Sequence, residues 1–191
     1  MNSTCYTASG CVEPTPVGGT LPFVVDSVFV PSGYEGDIAD ITEAADKTCG
    51  GARSSATAKG NCYTWTYAAP TPAVAGYAAV LWQYPVNNFG TVATAPGYPI
   101  PPGATKVSFW AKGKVGGEKV SFAVGQIGAT AKCSDAIIVP LALQTLTAAW
   151  VNYTIALPAQ SYATGEITGF VWDAAAQATI NFYIDDIEWQ M

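Results

Sequence analysis

From Leu21 onward, apolar and polar positions alternate in short runs broken by glycine, proline and small polar residues. In "CYTWTYA", Tyr63, Trp65 and Tyr67 share one side of an extended segment and Thr64 and Thr66 the other, the period of two expected of a half-buried β-strand. "FVVDSVFV", "YAAVLWQY", "KVSFWAK", "EKVSFAVG", "AIIVPLAL", "AAWVNYTIAL", "ITGFVW" and "TINFYIDDIEW" are further strand candidates. The segments "PSGYEGD", "APGYPIPPGA", "GKVGGE", "LPAQSYATGE" and "DAAAQA" read as loops or turns, and "KGKVGGEKV" as a hairpin tip. Only "IADITEAAD" suggests helix, of one or two turns. The pattern predicts an all-β chain: a two-sheet antiparallel β-sandwich or jelly roll with very little helix. No fixed-period repeat points to a propeller or solenoid. Residues 1–20, polar and rich in Pro and Gly, read as a linker or N-terminal tail ahead of a single domain over 21–191. Such a linker suggests a piece of a larger multi-domain protein.

Half of the 191 residues are apolar and only 12% are charged, which excludes a disordered chain. The net charge of −6 comes with few, scattered basic residues. A phosphate backbone or an anionic membrane surface needs clustered cations, so neither nucleic acid nor membrane is expected as a partner. No apolar run is long enough to insert in a bilayer. The chain has no histidine, which removes Ser-His-Asp and Cys-His catalysis and imidazole-based zinc sites. Cysteines stand at 5, 11, 49, 62 and 133. Cys49 and Cys62 bracket a small-residue loop, as do Cys5 and Cys11, and both pairs read as disulfides of a secreted or cell-surface protein. Cys133 is left over, buried or paired elsewhere.

"KVSFWAKGKVGGEKVSFAVG", "GFVWDAAAQATINFYIDDIEW" and "GYAAVLWQYPVNNFG" together resemble jelly-roll β-sandwich carbohydrate-binding modules of the galactose-binding-like superfamily. The resemblance spans about residues 21–191 and points to no one family. It implies a non-catalytic, secreted bacterial module that binds a neutral poly- or oligosaccharide, as a monomer. It also implies a structural calcium ion, at Asp185 in the last strand and Asp26 in the first. An adhesion or structural sandwich without a small ligand is the first alternative; a jelly-roll glycoside hydrolase or lyase is the second. Against the latter, the six glutamates, at 13, 35, 43, 118, 166 and 188, are dispersed and show no E-x-D-x-x-E pattern.

A sugar ring offers C–H faces to an aromatic and hydroxyls to amides and carboxylates, so a glycan site needs both kinds of side chain together. "WQYPVNNFG" supplies them: Trp82 and Tyr84 for stacking, Asn87 and Asn88 for hydroxyls. Packing between two sheets is the competing role for the aromatics. Trp172 either lines the same site or, with Phe170, belongs to the core. Tyr34, in "PSGYEGD" with Glu35 and Asp37, reads as a polar rim or an ordinary acidic loop. Trp65, Trp150 and Trp189 read as core, and of Phe109 and Trp110 one must face away from it.

Overall fold

The computed structural model describes residues 20–44, 49, 60–92, 97–158 and 165–191. Eleven strands lie among them: β1 (Phe23–Val24), β2 (Val30–Gly36), β3 (Ile41–Glu43), β4 (Tyr63–Tyr67), β5 (Tyr77–Gln83), β6 (Lys106–Gly113), β7 (Lys119–Val124), β8 (Val139–Thr145), β9 (Val151–Ala156), β10 (Thr168–Ala175) and β11 (Ile180–Gln190). They form two antiparallel sheets, one ordered β3-β4-β11-β6-β9 with β1 also on β11, the other β2-β5-β10-β7-β8. Among the described residues, helix is confined to two single 3-10 turns, Val25–Ser27 and Ile38–Asp40. The all-β sandwich read from the periodicity is therefore the observed fold.

Alternation decides which side chains meet between the sheets. From the six-stranded sheet come Trp65, Phe109, Phe182 and Trp189; from the five-stranded sheet, Trp82, Phe122, Phe170 and Trp172. These rings contact one another across the gap, Trp65 lying 5.9 Å from Trp82 and 5.6 Å from Trp172 between centroids. A core so rich in rings gains both burial and edge-to-face attraction.

Several local readings are corrected. "PSGYEGD" is largely strand β2, because its residues pair with β5 from Val30↔Gln83 to Gly36↔Ala78. "FVVDSVFV" breaks after Val24 into a 3-10 turn, and "IADITEAAD" forms one such turn and then β3. "KGKVGGEKV" joins β6 to β7, which belong to different sheets. It therefore crosses the sandwich and is not a hairpin tip. The proposed tail falls, except for Thr20, outside the described residues.

Cys49 and Cys62 form the expected disulfide, with 5.9 Å between Cα atoms. Cys133 is buried and also disulfide-bonded. Cys5 and Cys11 lie outside the described residues.

Candidate functional site

Trp82 and Trp172 are fully buried in the inter-sheet core, so neither offers a free face to a sugar. Trp82 packs on Tyr63, Trp65 and Phe170, and Trp172 on Trp65 and Phe182. Asn88 is buried as well. Its backbone carbonyl accepts from Gln83 Nε2 at 2.8 Å, and its Oδ1 accepts from the Gly90 N–H at 3.0 Å. It thus closes the turn after β5 instead of facing a ligand. Asn87 is exposed, with a left-handed backbone (φ 57°) and its N–H bonded to Ser32 Oγ. Tyr84 and Tyr34 keep exposed surface, but both turn toward the core side of their sheet: Tyr84 meets Phe29 and Tyr98, and Tyr34 meets Trp65. The six residues do not converge on one surface.

A different surface does gather ligand-binding chemistry: the outer face of the five-stranded sheet. Because Trp82, Val80 and Ala78 point inward, Leu81 and Ala79 must point outward. The register sets Glu35 beside Ala79, Ala79 beside Asp173, and Asp173 beside Ser121. One turn of the pleat away, Tyr77 sits beside Ala175. Glu35, Tyr77, Ala79, Gln126, Val171, Asp173 and Ala175 line an open depression of about 380 Å³. Its floor is alanine and valine, Tyr77 is 40% exposed at its rim, and two carboxylates face each other across Ala79. Two strand spacings separate their backbones, roughly 9–10 Å. Burial raises the pKa of both Glu35 and Asp173 above the usual carboxylate value.

The groove's far wall is a loop laid over the same sheet face. Ile127 and Cys133 pack on Leu81, Ala123 and Val171 in a second apolar cluster, separate from the main core. Asp135 anchors this loop. Its Oδ2 accepts the N–H groups of Gln126 and Ile127, both at 2.7 Å, and its Oδ1 those of Ile167 (2.6 Å) and Thr168 (2.8 Å). Glu166 lies against it, fully buried, with Oε1 accepting from the Ile137 N–H at 3.1 Å. Burial raises the Glu166 pKa well above the usual value, and the neighbouring Asp135 charge adds to the shift. Burial raises the Asp135 pKa as well, but its four N–H donors favour the anion there while Glu166 is pushed well above the usual value, so the proton of the pair resides on Glu166. Asp135 thereby fixes the backbone of Gln126, a groove residue. Glu35 was legible only as part of an acidic loop and Asp173 only as the start of the "DAAAQA" turn, whose first three residues instead belong to β10; their shared face depends on pairing across β5.

For calcium, Asp26 stands near Asp186, whose charge contributes to raising its pKa, after the larger effect of burial. Asp26 Oδ2 accepts from the Asn61 N–H, and Asp185 Oδ1 from the Asp186 N–H. Among the described residues no three His, Cys, Asp or Glu side chains group as metal ligands. A calcium ion, which takes six to eight oxygens, would need backbone carbonyls beside these carboxylates.

No family model matches the chain, and no curated protein matches it. Solved structures do. The family 11 carbohydrate-binding module of the cellulosomal cellulase Lic26A-Cel5E of Clostridium thermocellum superposes with a TM-score of 0.56 at 12% identity, covering 92% of this chain and 96% of that one. A family 11 module from the same organism, in complex with a β-1,3-1,4-mixed-linked tetrasaccharide, gives 0.56 at 11% identity, covering 92% and 97%. The family 30 module of the C. thermocellum cellulase Cel9D-Cel44B gives 0.55 at 13% identity, covering 84% and 91%. The likeness is one of fold: the β-sandwich of carbohydrate-binding modules, with no specific family assigned.

Proposed function

We propose that this chain is a non-catalytic carbohydrate-binding module of a secreted bacterial protein, and that it holds a neutral poly- or oligosaccharide in the groove on the five-stranded sheet. The observation that carries the reading is the groove itself: an open, apolar-floored depression with one exposed aromatic and several hydrogen-bonding side chains. Tyr77 stacks on a sugar ring. Glu35 and Asp173 accept from hydroxyls as charge-assisted acceptors, and Gln126 both donates and accepts. The fold shared with modules that include one bound to a tetrasaccharide supports the same reading. The groove is open along the sheet, which suits a chain interior as well as an end. A calcium ion at Asp26 and Asp185, with Asp186 beside them, belongs to this proposal as a structural element remote from the groove. Affinity electrophoresis of the wild type and Tyr77→Ala through gels of neutral glucans, xylans and mannans tests it: retardation in one of them, lost in a folded Tyr77→Ala, is the expected result.

One observation favours a second reading. Two carboxylates with raised pKa across a groove are also the equipment of an inverting glycosidase, which needs them roughly 6.5–9.5 Å apart. Release of reducing ends from the bound polysaccharide, abolished by Asp173→Asn, would replace the binding reading with that one.

A further inference from the structure

The outer face of the six-stranded sheet carries its own aromatic surface, on the opposite side of the sandwich from the groove. Phe109 points into the core, so Trp110 points out. Trp110 registers with Asp185 on one side and Asn152 on the other, and the next outward residue of β6, Lys112, registers with Tyr183. Lys112 Nζ lies 5.0 Å from the Trp150 ring centroid and 4.7 Å from that of Tyr183. Trp110, Trp150 and Tyr183 are all half-buried and so keep accessible surface. Trp150, read from sequence as core, belongs to this face.

Among the described residues, positive charge gathers on this face. The described residues contain five lysines, Lys106, Lys112, Lys114, Lys119 and Lys132, and no arginine. Three of the five, Lys106, Lys112 and Lys114, share the outward parity of Trp110 along β6 and the residue after it, in a chain whose net charge is −6. The carboxylates sharing the face, Asp185 and Glu188, are buried, and Glu188 Oε2 accepts from Gln190. Accessible positive charge therefore flanks an aromatic platform. Cation–π contact with two rings holds the Lys112 ammonium in place while its N–H donors remain able to bond an anion. Exposed amide and hydroxyl groups on β9, Asn152 and Thr154, border the rings.

The geometry points to a second glycan site here, for a polysaccharide bearing carboxylate groups, such as a uronan. A sugar ring stacks on Trp110 and its carboxylate pairs with Lys112, with Lys106 and Lys114 meeting further carboxylates along the chain. The two sites lie back to back, so one module can hold an acidic and a neutral chain together. This inference does not require the groove to bind.

The test is affinity electrophoresis of the whole chain through polygalacturonate and alginate gels, at low and high salt. Variants are Trp110→Ala, Lys112→Gln and the groove variant Tyr77→Ala, each checked for folding by near-UV circular dichroism. The expected result is retardation of the wild type despite its negative net charge, weakened at least five-fold by Lys112→Gln and by Trp110→Ala. It should weaken with salt, because screening at high ionic strength removes exposed charge attraction, and be unchanged by Tyr77→Ala. Lys112→Gln keeps most of the aliphatic stem, so it separates loss of charge from loss of packing if Trp110→Ala fails to fold. No retardation by either acidic polymer, retardation undiminished in Lys112→Gln, or loss on Tyr77→Ala would each overturn the inference.

Discussion

Replacing Asp135 by asparagine tests how the groove wall is held. The carboxylate serves four backbone N–H groups, two on each oxygen, at 2.6–2.8 Å. Asparagine keeps one acceptor oxygen and puts an NH2 where the other stood, so two buried N–H groups lose their partner and face another donor. Each buried donor left unsatisfied costs about 1–3 kcal/mol, which places Asp135→Asn at roughly 2–6 kcal/mol, a large share of a domain's stability. Glu166→Gln instead keeps an acceptor for the Ile137 N–H and a donor toward Asp135. It should cost less than about 1.5 kcal/mol. Urea unfolding followed by tryptophan fluorescence reads both, since Trp65, Trp82, Trp172 and Trp189 are fully buried. The pair also predicts a pH dependence. With its pKa raised in the folded chain, Glu166 keeps its proton where the unfolded chain has lost it. Its contribution is therefore complete below the unfolded value and is lost as pH rises through the folded value. Alkaline destabilisation should flatten in Glu166→Gln. An Asp135→Asn variant within 1 kcal/mol of wild type, or a Glu166→Gln variant as damaged as Asp135→Asn, would refute the assignment of charge and proton.

Trp82→Ala removes a fully buried core ring and should cost about 3–5 kcal/mol, seen as a lower urea midpoint, whereas Tyr77→Ala should stay within about 0.5 kcal/mol. Polysaccharide affinity should fall on acidification through the raised pKa values of Glu35 and Asp173, as charge-assisted acceptors become protonated; a titration by isothermal calorimetry that stays flat to pH 4 would count against their role. The same two groups stabilise the fold most at low pH and lose that contribution as pH rises, so affinity and this part of stability move in opposite directions. Asp37 behaves the other way: its pKa is lowered, chiefly by the Ala75 N–H, so its contribution is lost as pH falls, and Asp37→Asn should blunt acid unfolding. Calcium should raise the melting temperature of the wild type and not of Asp26→Asn; no shift in the wild type would remove calcium from the account.

The alternation in "CYTWTYA" and the short, turn-bounded apolar runs carried the fold class directly, because side-chain facing follows a local period of two. Trp172, a site candidate whose alternative was the core, shares a face with Phe170, and both are core. The candidate site was less legible. The sequence shows that Trp82 and Gln83 face opposite ways but not which way is inward, and the large ring went to the core while Gln83 went outward, under its own turn. Glu35, Ala79 and Asp173 come from three distant segments and meet only through strand register. That pairing is set by which strands neighbour each other across the sheet, information that no local pattern contains. The "PSGYEGD" segment shows the same limit: its glycines and proline signalled a loop, yet pairing with β5 makes it an edge strand, where proline and glycine are tolerated.

The most direct test of glycan binding in the groove is affinity electrophoresis through a neutral polysaccharide panel of wild type, Tyr77→Ala and Asp173→Ala, with unfolding midpoints measured alongside. At least one polysaccharide should retard the wild type, and both variants, with near-native midpoints, should lose most of that retardation. Retardation that survives both substitutions, or none across the panel, would contradict glycan binding there.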